Sequence, residues 1–202
     1  MNTAPKIVGI INITDDSFSD GGRFLAPSAA VRHAEALTDS GADWLELGPA
    51  SSHPDAALVP AATQISRLSP VLAALSDGPL PVSLDATDPD VLAWALGRKT
   101  DQNSPGAIAM VNDVRGFPNP DTHSRLADSN VAVVVVHSIL AQERATRDQA
   151  TPSEVLDSIE RFFDTRLAEL VRAGVSEERL IVDPGMGFFL GRDPAASVVV
   201  LQ

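Results

Sequence analysis

The most chemically suggestive stretch of the sequence is a polar loop that directly follows an apolar segment near the N-terminus. Lys6–Ile13 is apolar and rich in β-branched residues, which predicts a buried strand with Asn12 at its carboxyl end. The next residues supply three carboxylates and one aromatic side chain, namely Asp15, Asp16, Asp20 and Phe18. Such a loop is either a surface turn whose polar side chains cap the following helix, or one wall of an active site.

Small polar or acidic residues also stand at the ends of the other predicted strands. The full set is Asn12, Gly48, Asp85, Asn112, His137 and Asp183. Each of them taken singly is more often a turn former or a helix cap than a functional group. In a parallel barrel, however, the carboxyl ends of the strands share one rim, so residues far apart in sequence converge there. The set as a whole therefore predicts a pocket.

The elements that position these residues follow a repeated pattern of strand, loop and helix. Six strands are predicted, over Lys6–Ile13, Asp43–Leu47, Leu80–Leu84, Ala107–Val111, Val131–Val136 and Arg179–Val182. Helices are predicted over Pro27–Ser40, Asp55–Ser76, Pro89–Leu96, Pro120–Ser129 and from Thr151 to about Ala173. Asp88 is the expected N-cap of the third helix, and Thr151-Pro152-Ser153-Glu154 has the pattern of a capping box. The polar stretch Ser138–Ala150 is either an active-site loop or an exposed insertion.

This order predicts an α/β protein with a parallel sheet covered on both faces. Open doubly wound sheets and closed eight-stranded barrels share the pattern. A chain of 202 residues with 44% apolar content can bury one complete core, so a single domain over residues 1–202 is expected.

Composition restricts the function further. The chain contains no cysteine, which excludes disulfides, thiolate catalysis and zinc-thiolate sites and fits a cytoplasmic location. No apolar run reaches the ~20 residues of a membrane span. With 27 acidic and 15 basic residues the net charge is −12, which disfavours nucleic acid as a partner. An anionic substrate would need a local positive centre or a divalent cation.

Five ordered motifs resemble those of the dihydropteroate synthases, the pterin-binding barrel enzymes of folate synthesis. They are Gly9-Ile10-Ile11-Asn12-Ile13-Thr14-Asp15-Asp16-Ser17-Phe18-Ser19-Asp20-Gly21-Gly22, Val82-Ser83-Leu84-Asp85, Val111-Asn112-Asp113-Val114, Val136-His137-Ser138 and Asp183-Pro184-Gly185-Met186-Gly187-Phe188. The resemblance implies a TIM-type (β/α)8 barrel, of which about six βα units are present. It also implies small-molecule substrates, dihydropterin pyrophosphate and p-aminobenzoate, and a homodimer when full length.

The same resemblance implies roles for individual residues. Asp183 would accept two parallel hydrogen bonds from the donor edge of the pterin, with Asp85 and Asn112 completing that edge. A carboxylate near the ring, from Asp85 or Asp183, would also stabilise the cation that develops as pyrophosphate leaves. Asn12 would be an oxygen ligand of Mg²⁺. Phe18 and Asp20, on the first loop, would close over the leaving group and wall the aminobenzoate ring.

Other details resemble the sulfonamide-resistant branch of the family. They are Gly48-Pro49-Ala50-Ser51-Ser52-His53-Pro54-Asp55, Gly116-Phe117-Pro118 and Met186-Gly187-Phe188-Phe189-Leu190. Ser52-His53-Pro54 stands where most members carry Thr-Arg-Pro, so Ser52 and His53 are candidate contacts for pyrophosphate or aminobenzoate. Phe189 would narrow the aminobenzoate pocket against bulkier sulfonamides. His137 is expected to structure the pocket rather than to act as a general base.

The resemblance also implies a difference in length. Family members continue through two further βα units, which bring a lysine after strand seven and a basic pair at strand eight, so the chain is expected to be C-terminally truncated. Two alternatives to a catalytic dihydropteroate synthase are a non-catalytic pterin-binding remnant and a pterin-dependent methyltransferase. The methyltransferase should lack the Asp-Ser-Phe-Ser-Asp-Gly-Gly loop found at residues 16–22.

Overall fold

The computed structural model describes residues 4–14, 27–51, 56–97, 108–138, 151–191 and 194–201. Its six strands are β1 (Val8–Asn12), β2 (Trp44–Gly48), β3 (Val82–Asp85), β4 (Ile108–Asp113), β5 (Ala132–Val136) and β6 (Leu180–Asp183). Its α-helices are α1 (Pro27–Asp39), α2 (Ala61–Leu75), α3 (Pro89–Ala95), α4 (Pro120–Asp128), α5 (Pro152–Arg172) and α6 (Pro194–Val200). Two 3-10 turns, Glu177–Arg179 and Gly187–Phe189, flank β6.

The strands form a six-stranded sheet in chain order, β1 to β6. The pairs β1–β2, β2–β3 and β5–β6 are parallel. Parallel neighbours need a crossover connection, and a helix follows each of the six strands. The predicted α/β architecture with six βα units is therefore confirmed.

The chain forms two compact units, Met1–Val111 and Asn112–Gln202. In the first unit, one face of the sheet is the core. Ile11, Leu47 and Leu84 share one row across β1, β2 and β3, and all three are fully buried. Because side chains alternate along a strand, the neighbouring row points to the other face. That row contains Ile10, which is 56% exposed, together with Glu46 and Ser83.

The second unit is organised by α5. Its first half carries Val155 and Ile159, which form a buried cluster with Leu190 and Ala196. The helix begins with the expected capping box: the Thr151 hydroxyl accepts from Glu154 N–H, and the Glu154 carboxylate accepts from Thr151 N–H at 2.7 Å. Both ends of this reciprocal cap satisfy backbone donors that would otherwise lack a partner. Within the described ranges, no helix is long and apolar enough to cross a membrane.

The predicted start of the second helix is wrong. The sequence predicts this helix from Asp55, but α2 begins at Ala61, and Leu58, inside the predicted range, is 99% exposed. Pro60 explains the difference, because a proline disfavours helical geometry in the residue before it and suits the start of a helix. Pro60 occupies the N-cap position with φ −58° and ψ 145°. Apolar residues at helical spacing lie on both sides of Pro60, so their periodicity alone predicts a helix that begins too early.

Candidate active site

In the first unit, three candidate residues lie at the carboxyl ends of adjacent strands. Asn12 pairs with Gly48 across β1 and β2, and Ile13 N–H donates to the Gly48 carbonyl at 2.8 Å. Leu47 pairs with Leu84, which brings Asp85 to the same edge of the sheet. A Cβ built on Gly48 would stand 3.2 Å from Asn12 Oδ1. A side chain at position 48 would therefore crowd the Asn12 amide, and glycine leaves room for it.

A second polar pair lies one row below these strand ends, and sequence reasoning missed it. Ser83 Oγ donates to Glu46 Oε2 at 2.9 Å, and Ser83 is fully buried. Both side chains share a row with Ile10, on the sheet face that carries Asn12 two residues further along. The available signal was the single acidic residue within the apolar strand Trp44–Gly48. The polar character of this face thus extends below the strand ends.

Asn12 provides a donor of the kind that Mg²⁺ takes. Its amide oxygen is a hard ligand, and Mg²⁺ typically binds one or two protein oxygens while it keeps waters and phosphate oxygens. Among the residues described, no group of three or more His, Asp or Glu side chains is arranged to hold a metal ion. The Asn12 amide oxygen therefore fits an Mg²⁺ ion that keeps waters and phosphate oxygens among its ligands.

In the second unit, the carboxylate of Asp183 is fixed by the turn that follows β6. Asp183 Oδ1 accepts from Gly185 N–H at 2.8 Å. Gly185 has φ +77°, and a Cβ on it would stand 2.6 Å from the carbonyl oxygen of His137. Only glycine satisfies both conditions. The bond to Gly185 orients the carboxylate and leaves further acceptor positions on its two oxygens.

His137 supports the same turn from β5. Its backbone N–H donates to the Asp183 carbonyl at 2.8 Å, and its side chain is buried. Nδ1 lies 3.3 Å from the Pro184 carbonyl, which can only accept, so Nδ1 carries the proton. Burial lowers the pKa of His137, so Nε2 of the neutral ring accepts from Ser158 Oγ at 3.2 Å. With both nitrogens engaged, the His137 ring supports the turn after β6 and is poorly placed to act as a general base.

Asn112 and Asp113 end β4 on opposite faces, because successive side chains alternate. Asp113 is 1% exposed and accepts from Arg115 N–H at 2.8 Å and from Phe117 N–H at 2.9 Å. Burial raises the pKa of Asp113 to about 6, against the opposing effect of these two donors and of the Arg115 and Arg166 charges. Sequence reasoning gave Asp113 no role. Its carboxyl closes the turn directly after Asn112.

Phe189 ends the 3-10 turn Gly187–Phe189 and is partly buried. Its Cβ would lie 3.1 Å from a Cβ placed on Gly185, so it packs beside the turn that holds Asp183. Its contact with aminobenzoate stays a prediction.

The remaining predicted residues lie outside the described ranges. They are Phe18, Asp20, Ser52 and His53, together with most of the polar stretch Ser138–Ala150. Of the residues described, the first unit brings Asn12 and Asp85 to one sheet edge, and the second unit brings Asp183 and His137 into one turn.

Comparison with known proteins places this arrangement in a family. Residues 8–202 match the model of the pterin binding enzymes. The chain is 48% identical over 201 residues to a dihydropteroate synthase type-2 of Escherichia coli, covering 100% of this chain and 71% of that protein. The chain therefore belongs to the pterin-binding enzyme family, among the dihydropteroate synthases.

Solved structures agree with this assignment. A dihydropteroate synthase of Coxiella burnetii in complex with pteroic acid superposes with a TM-score of 0.82 at 28% identity, covering 100% of this chain and 68% of that one. The Xanthomonas albilineans enzyme with 4-aminobenzoic acid has a TM-score of 0.80 at 32% identity, covering 98% and 67%. The expected fold class, that of a TIM-type barrel enzyme represented by six βα units, is thus confirmed.

Proposed function

We propose that the chain acts as a dihydropteroate synthase, which joins 6-hydroxymethyl-7,8-dihydropterin pyrophosphate to p-aminobenzoate. The C–O bond between the pterin methylene and pyrophosphate breaks, the arylamine nitrogen forms a C–N bond to that methylene, and the amine loses a proton. The products are 7,8-dihydropteroate and pyrophosphate. The observation that carries this proposal is the family match over residues 8–202 together with the fixed carboxylate of Asp183.

Asp183 is proposed to bind the pterin ring. The 2-amino group and N3–H of the pterin form a pair of parallel donors that one carboxylate can accept, and charge-assisted pairs of this kind are the strong ones. Gly185 N–H already holds Oδ1, so the carboxylate meets the ring without first losing rotational freedom. A simple turn former makes the same bond, so the assignment of Asp183 to the pterin rests on the family match over residues 8–202 and on the acceptor capacity of its two oxygens.

Asn112 and Asp85 are proposed to complete the pterin edge. An amide can donate and accept, so Asn112 suits a heterocycle that presents both kinds of group. The carboxylates of Asp85 and Asp183 would also stabilise positive charge as it develops on the pterin methylene. Binding of the pterin and acceleration of the reaction would then depend on the same residues.

Asn12 is proposed to bind Mg²⁺ through its amide oxygen. When bound, Mg²⁺ offsets the negative charge of the pyrophosphate, which the net charge of −12 would otherwise repel. Ser52 and His53 are proposed to contact pyrophosphate or aminobenzoate, and Phe18 and Asp20 to exclude water from the reacting methylene.

The sulfonamide-insensitive type is proposed because the motifs resemble that branch and because a type-2 enzyme is 48% identical. Phe189 is the residue proposed to discriminate between aminobenzoate and sulfonamides. A homodimer is proposed from the resemblance to the family, and a cytoplasmic location from the absence of cysteine.

The test is synthesis of dihydropteroate by the 202-residue chain, supplied with both substrates and Mg²⁺. We expect product and pyrophosphate in equal amounts, and no product when p-aminobenzoate is omitted. Pterin binding without turnover would support the non-catalytic alternative. Absence of both binding and turnover would contradict the proposal.

A further inference from the structure

One stripe of helix α5 packs against His137 and against the turn that follows β4 in the second unit. Ser158, Phe162 and Arg166 are four residues apart, so they lie on one side of the helix. Each makes a different kind of contact: Ser158 bonds His137, Phe162 packs on His137 and Gly116, and Arg166 bonds the Phe117 carbonyl. We call these three side chains the α5 stripe.

Ser158 contacts the turn after β6 through His137. Its hydroxyl bonds His137 Nε2 at 3.2 Å, and His137 Nδ1 bonds the Pro184 carbonyl at 3.3 Å. Pro184 stands between Asp183 and Gly185, the two residues joined by the carboxylate bond. Ser158 therefore fixes the ring that supports the turn of Asp183.

Phe162 contacts both His137 and the turn after β4. Its ring meets the His137 ring edge to face, with centroids 5.4 Å apart and planes at 70°. A Cβ placed on Gly116 would lie 2.4 Å from Phe162 Cζ, so the Gly116 backbone is packed directly on the ring. The same ring thus contacts the turn that follows Asn112 and the His137 ring, which supports the turn that follows Asp183.

Arg166 contacts the turn after β4 at Phe117. Arg166 Nη1 donates to the Phe117 carbonyl, which also accepts from His123 Nε2 at 2.8 Å. Phe117 is buried and has φ +57°, an unfavourable conformation for a bulky residue that surrounding contacts must maintain. The guanidinium also lies over the Phe162 ring, 5.8 Å from its centroid.

We propose that the α5 stripe positions Asn112 and Asp183 for pterin binding, with Arg166 and Phe162 holding the β4 turn and Ser158 holding the β6 turn through His137. None of the three needs to touch the substrate. The inference rests on the proposed pterin-binding role of Asn112 and Asp183. It adds positioning residues on a helix, whereas the expected site residues lie at strand ends and on loops.

The test uses Arg166→Met in the 202-residue chain, with Arg161→Met as the matched control. Arg161 is exposed on the same helix, so the control repeats the substitution away from the stripe. Arg166 lines an open groove of about 410 Å³ with Pro118 and Glu169, so methionine can be accommodated. Two dissociation constants are measured by calorimetry with Mg²⁺ present, for 6-hydroxymethylpterin and for its pyrophosphate.

We expect Arg166→Met to weaken both ligands about fivefold to tenfold while their affinity ratio stays constant, because the pyrophosphate contacts do not depend on the stripe. Arg166→Lys, which keeps a donor toward Phe117, should recover part of the loss. Arg161→Met should bind as the original chain does. Circular dichroism gives the folded fraction of each variant, and the dissociation constants are compared for folded protein only. A loss of affinity that remains then reports positioning rather than unfolding.

Unchanged pterin affinity in Arg166→Met, with the original chain binding normally, would overturn the positioning role and leave the proposed function intact. A changed affinity ratio would also overturn it, since the effect would then reach the pyrophosphate contacts. If the original chain binds neither ligand, the proposed function fails first and the inference fails with it.

Discussion

Gly116→Ala is the substitution that most directly probes how the β4 turn is held. Gly116 has φ +64°, and its backbone lies between Phe162 and β5. An added Cβ would stand 2.4 Å from Phe162 Cζ and 2.9 Å from the Val136 carbonyl oxygen. The phenylalanine ring can rotate aside, but the Val136 carbonyl belongs to a paired strand and cannot.

Two costs contribute to the expected loss of stability. A left-handed conformation costs an alanine about 1–2 kcal/mol. Overpacking a filled site costs a further ~1–3 kcal/mol. We therefore expect Gly116→Ala to lower the free energy of unfolding by about 2–5 kcal/mol. A typical domain has only ~5–15 kcal/mol in total.

Urea unfolding followed by circular dichroism measures this loss, provided that the slope of the transition is unchanged. Gly187→Ala is the control, because Gly187 has φ +59° and no atom within 4 Å of the Cβ position. It should show the conformational cost alone. Adding Phe162→Leu should reduce the penalty of Gly116→Ala through a favourable coupling. If Gly116→Ala costs no more than Gly187→Ala, the close packing of the turn is refuted.

Three further outcomes are expected. Asp113 has its pKa raised from 3.8 to about 6 by burial, so its stabilising contribution is complete below pH 4 and is lost as the pH rises through 6. Between pH 4 and 7 the free energy of unfolding should therefore fall by up to about 3 kcal/mol more in the original chain than in Asp113→Asn, as measured by urea titration at each pH. The same pH profile of stability in both proteins would contradict a raised pKa of Asp113. Asn12→Ala should raise the Mg²⁺ concentration needed for binding of the pterin pyrophosphate while hardly affecting pterin alone, and equal losses would make Asn12 structural. Phe189→Gly should tighten sulfonamide inhibition by roughly tenfold to two-hundredfold with a smaller change in KM for aminobenzoate, whereas parallel changes would make Phe189 ordinary packing.

The helices and strands were predictable because their caps and ends are set by residue type and spacing within a few positions of the chain. The capping box at Thr151, the Asp88 cap and the strand-end positions of Asn12 and Asp183 all follow from residue type and spacing, and the structure has them. The start of α2 was not predicted because an apolar repeat continued past Pro60 and outweighed the proline.

The supporting contacts of the site were not predictable in the same way. Arg166 bonds a carbonyl 49 residues away, and nothing in the helix pattern distinguishes it from the exposed Arg161. Phe117 has a positive φ that sequence rules assign to glycine or asparagine. Such contacts depend on tertiary packing, which local periodicity does not encode.

The most direct test of pterin recognition by Asp183 is the affinity of 6-hydroxymethylpterin for the chain and for Asp183→Asn, with Asp157→Asn on the exposed side of α5 as the control. Loss of a charge-assisted pair should weaken binding by roughly 1.5–3 kcal/mol, or about tenfold to 150-fold. The control should bind as the original chain does. Equal affinity in Asp183→Asn and the original chain would contradict the assignment of Asp183 as the residue that binds the pterin.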